Sequence, residues 1–176
     1  MDRLDSYKVD LKGMSSDAAS YQWQVDDRFF DAVQGPEIRQ GQLDVTLSVK
    51  RVQEVYELRF TLSGTVKVEC DRCLEYMDVP IETESTLRVK LGAEYDDDGD
   101  TVVVPENDGT LDVSWHIYEF AALNIPVRHV HPEGQCNETM AAKLDSMTAS
   151  GDSGDGEERT DHRWDELKRI LDNNKK

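Results

Sequence analysis

The sequence is short of the residues and patterns that many secreted and membrane proteins require. It has three cysteines in 176 residues, an odd number that argues against a disulfide framework. No apolar run approaches the ~20 residues that a membrane-spanning helix needs, and the first 20 residues lack the apolar core of a secretory signal. We therefore expect a cytoplasmic protein that does not enter a membrane.

Familiar catalytic motifs are also absent. The sequence contains no GxGxxG or P-loop pattern for nucleotides, no nucleophile elbow and no HExxH pair for a catalytic zinc ion. It indicates no small-molecule substrate. These absences favour a protein that acts by binding rather than by catalysis.

Positive charge is scarce. Twenty lysines and arginines face 37 aspartates and glutamates, which gives a net charge of −17. Residues 1–90 carry −5 of this charge and residues 91–176 carry −12. Such an acidic chain repels nucleic acid and anionic lipid, so we expect the first partner to be a basic protein.

Alternating apolar residues mark three long strands in the middle of the chain. Residues 43–49, 56–68 and 79–91 each place apolar side chains on one face, and short connections join them. Gly64 interrupts the second strand and indicates a bulge or a bend. The pattern predicts an α+β fold built on an antiparallel β-meander that curls towards an open barrel.

Shorter elements flank the meander. We predict strands at residues 6–11, 21–25 and 101–104, and a helical turn that begins at Asp26. From residue 111 the apolar spacing changes to three and four residues, which predicts a helix over 113–124 packed on the sheet. Its core face would consist of Val113, His116, Ile117, Phe120, Ala121 and Leu123. His116 would be a core histidine with satisfied hydrogen bonds.

The composition divides the chain into three parts. Residues 1–147 form the α+β domain. Residues 148–160 are rich in glycine, serine and acidic residues, which predicts a disordered linker. Residues 161–173 place apolar side chains at helical spacing, which predicts an amphipathic C-terminal helix tethered by the linker.

The cysteines and histidines suggest a metal site. Cys70 and Cys73 lie in the turn between two predicted strands, with the spacing of half a zinc-ribbon site. His131 and Cys136 lie in a predicted loop and supply a second half, with His129 nearby. The four residues Cys70, Cys73, His131 and Cys136 are our candidate zinc ligands. The alternative is a reduced pair of thiols that packs the hairpin.

A thiol-redox enzyme is a competing interpretation of the CxxC pair. Redox pairs lie at the N-terminus of a helix, where the helix dipole lowers the pKa of the first thiol. Here a predicted strand precedes the pair and another follows it. Glu69, Asp71 and Glu75 add negative charge that disfavours a thiolate. The redox interpretation is therefore the weaker one.

A few basic residues lie on the predicted meander. Arg59, Lys67 and Arg72 are placed to share an exposed strand face. A solvated sheet face accounts for them without any ligand. The alternative is a weak local contact with RNA or with a partner protein.

Four sequence blocks, in this order, resemble the YceD-type proteins, a bacterial and plastid family. The blocks are LSGTV from Leu62, VECDRCLE from Val68, LNIPV from Leu123 followed by the His131–Cys136 pair, and DHRWDEL from Asp161. Together with the order of the predicted elements they extend the resemblance over roughly residues 6–172. The Cys-x-Arg-Cys block after a glycine-containing strand is the most specific of them.

The resemblance implies a role in the accumulation of large-subunit (23S) ribosomal RNA, through its synthesis, processing or stability, and implies no known reaction. Combined with the acidic charge, it indicates a non-catalytic ribosome-biogenesis factor whose partner is a basic ribosomal or rRNA-processing protein. Many family members carry a fuller cysteine-rich motif in the C-terminal half, whereas this sequence keeps Cys136 with His131. For this chain the options are therefore a mixed Cys/His metal site or no metal site. The other interpretation is a zinc-stabilised interaction module without a ribosomal role.

Overall fold

Four strands in the first half of the chain form the meander that the alternating sequence predicts. The computed structural model describes residues 4–97 and 101–148. In it the strands are β2 Ala18–Val25, β3 Gln40–Val52, β4 Val55–Glu69 and β5 Tyr76–Gly92. Each pairs antiparallel with the next, so the predicted meander is confirmed.

Shorter strands and three helices make up the remaining elements. They are β1 Lys8–Asp10, α1 Asp27–Val33, β6 Asp96–Asp97, β7 Thr101–Pro105, β8 Thr110–Asp112, α2 Ser114–Leu123 and α3 Glu138–Met147, with a 3-10 turn at Asp5–Tyr7. The six-stranded sheet has the order β2-β3-β4-β5-β7-β6, while β1 and β8 form a separate pair. Strand β7 runs parallel to β5 and antiparallel to β6.

The α+β class is confirmed, but the sheet does not close into a barrel. Within the described ranges, β2 and β6 stand at the two ends of the strand order, and each pairs on one side only. The physical reason lies in the last two strands. Strand β6 has two residues and β7 has five, so this end of the sheet offers few backbone groups for pairing with the eight-residue β2.

The chain divides into two compact units, residues 1–142 and 143–176. The predicted C-terminal helix, and the predicted linker beyond residue 148, lie outside the described residues. In the described part of the chain, every helix falls short of the length and hydropathy that crossing a bilayer requires.

One face of the meander is buried and carries the hydrophobic core. Leu47, Leu58 and Phe60 have no exposed surface, and their neighbours along each strand point the other way. Helix α2 covers this face, where the ring of Phe120 lies 5.2 Å from that of Phe60. The predicted helix over 113–124 is therefore confirmed, and it packs on the sheet as expected.

Two residues of α2 differ from the predicted core face. Leu123 is 76% exposed, so its predicted place in the core is wrong. Tyr118 is buried instead, and its hydroxyl accepts hydrogen bonds from the backbone N–H groups of Glu37 at 2.8 Å and Ile38 at 3.2 Å. These bonds satisfy the hydroxyl of Tyr118 inside the protein. The spacing of apolar residues does not indicate such hydrogen bonds, so it does not predict that Tyr118 is buried.

The predicted bulge at Gly64 is also wrong. Strand β4 keeps one register along its whole length, with Gly64 opposite Leu43 on β3 and Ile81 on β5. The glycine is needed for another reason. A Cβ atom at this position would lie 2.1 Å from the carbonyl oxygen of Gln42, and the backbone φ is +150°.

His116 is buried, but its hydrogen bonds are not all satisfied. Its Nδ1 atom has no partner among the described residues, so the predicted satisfaction is wrong for this atom. Burial lowers the pKa of His116, although the carboxylates of Glu119, Asp97 and Asp112 act in the opposite direction. The native state therefore holds the imidazole in its neutral form.

We expect the substitution His116→Leu to reduce the acid sensitivity of folding. Because the pKa of His116 is lower in the folded state than the ordinary value near 6.5, its neutral form contributes stability above that pH and loses it as the pH falls. Removing the unpartnered nitrogen should also raise the free energy of unfolding by about 1 kcal/mol. Urea unfolding at pH 7.5, 6.5 and 5.5 measures both effects. Parallel losses for variant and wild type would contradict the prediction.

Candidate metal centre

Two loops bring the predicted ligands together. The cysteine turn, residues 70–75, joins β4 to β5, and the histidine loop, residues 124–137, joins α2 to α3. The cysteine turn is closed by hydrogen bonds from the N–H of Cys70 to the carbonyl of Glu75 and from the N–H of Leu74 to the carbonyl of Cys70, both 2.9 Å long. Leu74 adopts the left-handed conformation, with φ of 62°, which lets the chain reverse within a few residues.

The ligand atoms of Cys70, Cys73, His131 and Cys136 all lie within 4.8 Å of one another. The Sγ atoms of Cys70 and Cys136 are 4.0 Å apart, and Cys73 Sγ is 3.3 Å from His131 Nδ1. Tetrahedral zinc, with Zn–S near 2.3 Å and Zn–N near 2.0 Å, separates two sulfurs by about 3.8 Å and a sulfur and a nitrogen by about 3.6 Å. The donor set and its spacing therefore fit a Cys₃His zinc ion.

Backbone N–H groups surround the sulfur of Cys70. Burial raises the pKa of this thiol, but hydrogen bonds from the N–H groups of Cys73, His131 and Arg72 outweigh burial and lower the pKa to about 6. The N–H groups of Arg72 and His131 are both 3.4 Å from the sulfur. The turn thus stabilises a thiolate, the form that binds zinc.

The other ligands respond to one another. Hydrogen bonds from the backbone N–H groups of Asn137 and Glu75 lower the pKa of Cys73, and the hydrogen bond with Cys70 raises the pKa of His131. Burial, followed by the neighbouring Cys73 and Cys70, raises the pKa of Cys136 to about 11. Three thiolates in this space repel one another, and a bound divalent cation would remove that repulsion.

Hydrogen bonds that the sequence did not predict hold the two loops together. Two hydrogen bonds join Asp71 and His129. The N–H of Asp71 donates to the carbonyl of His129 at 3.0 Å, and the N–H of His129 donates to Asp71 Oδ2 at 2.8 Å. His129 Nε2 also lies 3.4 Å from Asp71 Oδ1. Asn137 Nδ2 donates to Glu75 Oε1 at 2.6 Å. We call the paired Asp71 and His129 the clasp; nothing in their spacing signals it.

The predicted basic contact residues are not gathered at one point. Arg59 and Lys67 lie eight residues apart on the exposed face of β4, which corresponds to about 26 Å along a strand. Arg59 Nε is 3.4 Å from Glu84 Oε1 on β5. Arg72 lies in the cysteine turn, where its N–H contacts the sulfur of Cys70. Their contact with RNA or with a partner stays a prediction.

The family comparison covers the same region as the candidate metal ligands. The family model described as "Large ribosomal RNA subunit accumulation protein YceD" matches residues 58–171, well over half of the chain, and this span includes the cysteine turn and the histidine loop. No significant match is found among curated proteins or among solved structures. By this match and by the sequence blocks that it contains, the chain belongs to the YceD family of large ribosomal RNA subunit accumulation proteins.

Proposed function

We propose that the protein is a non-catalytic ribosome-biogenesis factor that supports the synthesis, processing or stability of large-subunit (23S) ribosomal RNA. The observation that carries the proposal is the family match over residues 58–171. On this proposal the protein works in the cytoplasm, where ribosomes assemble and thiols stay reduced. It acts by binding, with its metal centre as a structural element.

The geometry of the cluster supports a structural zinc ion. Four protein side chains supply the four positions of a tetrahedron, whereas a catalytic zinc keeps one position for water or substrate. Two of the ligands, Cys70 and Cys73, are buried. Zinc would fix the histidine loop against the cysteine turn.

Two features argue against a thiol-redox enzyme. Strand β4 ends one residue before Cys70 and β5 begins at Tyr76, so the pair lies in a turn between two strands and not in the first turn of a helix, where redox pairs lie. Cys70 has no exposed surface and Cys73 has 2%, which leaves a disulfide substrate no approach to the sulfur. The low pKa of Cys70 suits a metal ligand equally well.

Depletion of the protein from its own cells tests the ribosomal proposal. We expect the amount of 23S rRNA to fall relative to small-subunit rRNA and to recover when the wild-type gene is restored. A Cys70→Ser/Cys73→Ser gene should fail to restore it, because the metal centre is lost. An unchanged ratio and unchanged processing after depletion would overturn the proposal.

The second candidate is a zinc-stabilised interaction module without a ribosomal role. The observation that favours it is the metal cluster itself, since such sites stabilise interaction modules of many kinds. This candidate predicts bound zinc together with unchanged rRNA after depletion. The same experiment therefore separates the two functions.

A further inference from the structure

A groove next to the metal centre exposes apolar side chains that the core does not use. Its volume is about 360 Å³. Trp115, Leu123 and Val127 line it and are 51%, 76% and 103% exposed. A contiguous apolar surface that stays exposed marks an interaction site.

We propose that this groove, formed by α2 with residues 36–37 and 125–129, binds a lysine- and arginine-rich segment of a partner protein through a large apolar side chain of that segment. The inference rests on the proposed function and deepens it, because it names the surface and the chemistry through which a biogenesis factor would engage a basic protein.

One wall of the groove is fixed by Tyr118. The phenol oxygen accepts the hydrogen bonds from Glu37 and Ile38, which hold the chain between α1 and β3 against α2. Gly35 allows this approach, because a Cβ there would lie 2.0 Å from the Tyr118 ring. Trp115 stacks on the same ring, with centroids 5.4 Å apart and planes at 29°. The wall exists before any partner binds, which reduces the entropic cost of binding.

A second part of the groove lining is fixed by the clasp. His129 lines the groove, and its backbone and ring both contact Asp71 of the cysteine turn. His129 Nδ1 also lies 3.0 Å from the carbonyl of Pro126, which holds the bend of residues 126–129. The metal centre thereby orients the wall that carries Val127.

The charge around the groove selects the partner. A second depression, which shares Pro36, Glu37 and His129 with the groove, exposes Leu74 and Tyr76. The two depressions are lined by four carboxylates and one guanidinium, those of Glu37, Glu69, Asp71, Glu119 and Arg39. The exposed Arg128 adds one positive charge in the segment 125–129, so this surface stays acidic on balance. A cationic segment with an apolar anchor matches this combination. RNA and a second copy of this −17 chain would both meet like charge.

A peptide selection on the full-length, zinc-loaded protein tests the proposal. Fifteen-residue random peptides displayed on phage are selected on the wild type and counter-selected on Leu123→Ser/Val127→Ser. We expect the enriched peptides to combine several lysines or arginines with a large apolar residue. Serine is chosen because it removes apolar surface without adding charge, and both positions are exposed enough for the fold to persist, which circular dichroism verifies.

The enriched peptide, synthesised with a fluorophore, then gives the affinities. We expect the double serine variant to raise the dissociation constant at least about tenfold, as loss of anchor contacts does. Glu119→Lys should raise the dissociation constant about fivefold or more, and this effect should be larger at lower salt. The matched control variants are Val52→Ser and Glu54→Lys, which are exposed at the β3–β4 turn. They should leave the dissociation constant within about twofold of the wild-type value.

Four outcomes would overturn the proposal. The first is that the selection enriches acidic or uncharged peptides, and the second is that the groove variants bind the peptide as tightly as the turn variants do. The third is that a 20-nucleotide RNA binds the groove more tightly than the peptide does. The fourth is that the protein associates with itself through the groove in sedimentation. Depletion with unchanged rRNA would instead overturn the ribosomal function and leave a groove-dependent affinity standing. The two failures are therefore distinguishable.

Discussion

One zinc ion per chain, lost on His131→Gln and kept on His129→Gln, is the expected result of metal analysis on the purified protein. The two histidines are two residues apart in the same loop, but only His131 belongs to the cluster of ligand atoms. Loss of one of four ligands opens the tetrahedron to water, so we expect the zinc affinity of His131→Gln to fall at least about 100-fold. The substitution of His129 removes only its ring contacts with Asp71 and Pro126 and keeps its backbone hydrogen bonds to Asp71, so we expect a fall of about tenfold at most.

The two histidine variants should also differ in how fast trypsin cleaves them in limited proteolysis. The main hydrophobic cluster of buried residues does not include the candidate zinc ligands, so far-UV circular dichroism should persist when zinc is removed. The histidine loop should open instead, because its ties to the cysteine turn depend on the cluster. We expect cleavage after the exposed Arg128 to accelerate in His131→Gln and in chelator-treated wild type.

Equal zinc loss in both histidine variants would mean that His129 is a ligand and that the cluster geometry is wrong. Zinc retained in both His131→Gln and Cys136→Ser would mean that the histidine loop does not bind metal. If the wild-type protein contains no metal and all three of its thiols are freely alkylated, the cysteines are reduced thiols that pack the hairpin and not metal ligands. Each result contradicts the four-ligand site in a different way.

The meander could be read from the sequence because its signal is local. Alternation along β3, β4 and β5 shows which face is buried, and the short turns between them leave only antiparallel neighbours. The sequence does not show in the same way which strand pairs with one that does not follow a short turn. Strand β7 shows the same alternation, but its parallel pairing with β5 is a contact between strands that do not follow each other through a short turn, and no periodicity records it.

The cluster of candidate metal ligands was predictable for a chemical reason, whereas the groove was not. Cysteine and histidine are rare in this chain, so two pairs at short spacing stand out. The groove depends on which apolar residues of α2 remain outside. Trp115, Tyr118 and Leu123 are all large and apolar or aromatic, and the sequence does not show the hydrogen bonds that satisfy the Tyr118 hydroxyl inside the protein while the other two face solvent.

Gly64→Ala should destabilise the protein by about 3 kcal/mol, an unusually large effect for the addition of one methyl group. The new Cβ would lie 2.1 Å from the carbonyl oxygen of Gln42 and 3.0 Å from Leu43 Cα, both backbone atoms of β3. The φ of +150° adds strain, because residues with a side chain rarely adopt it. Urea unfolding measures the loss, and Ser63→Ala, one residue earlier on the exposed face, should change stability by less than about 0.5 kcal/mol.

The sheet cannot avoid this clash by shifting β4 along β3. A slip of one residue would turn Phe60 and Leu62 out of the core and expose them to water, which costs more than the clash, since each buried side chain of this size contributes about 2 kcal/mol. The strands must therefore separate locally around Gln42 and Gly64. Because Cys70 lies six residues further on, about 20 Å along the strand, we expect Gly64→Ala to keep one zinc per chain below its unfolding transition. A loss of stability below about 1 kcal/mol would show that β3 and β4 already have room for a side chain there.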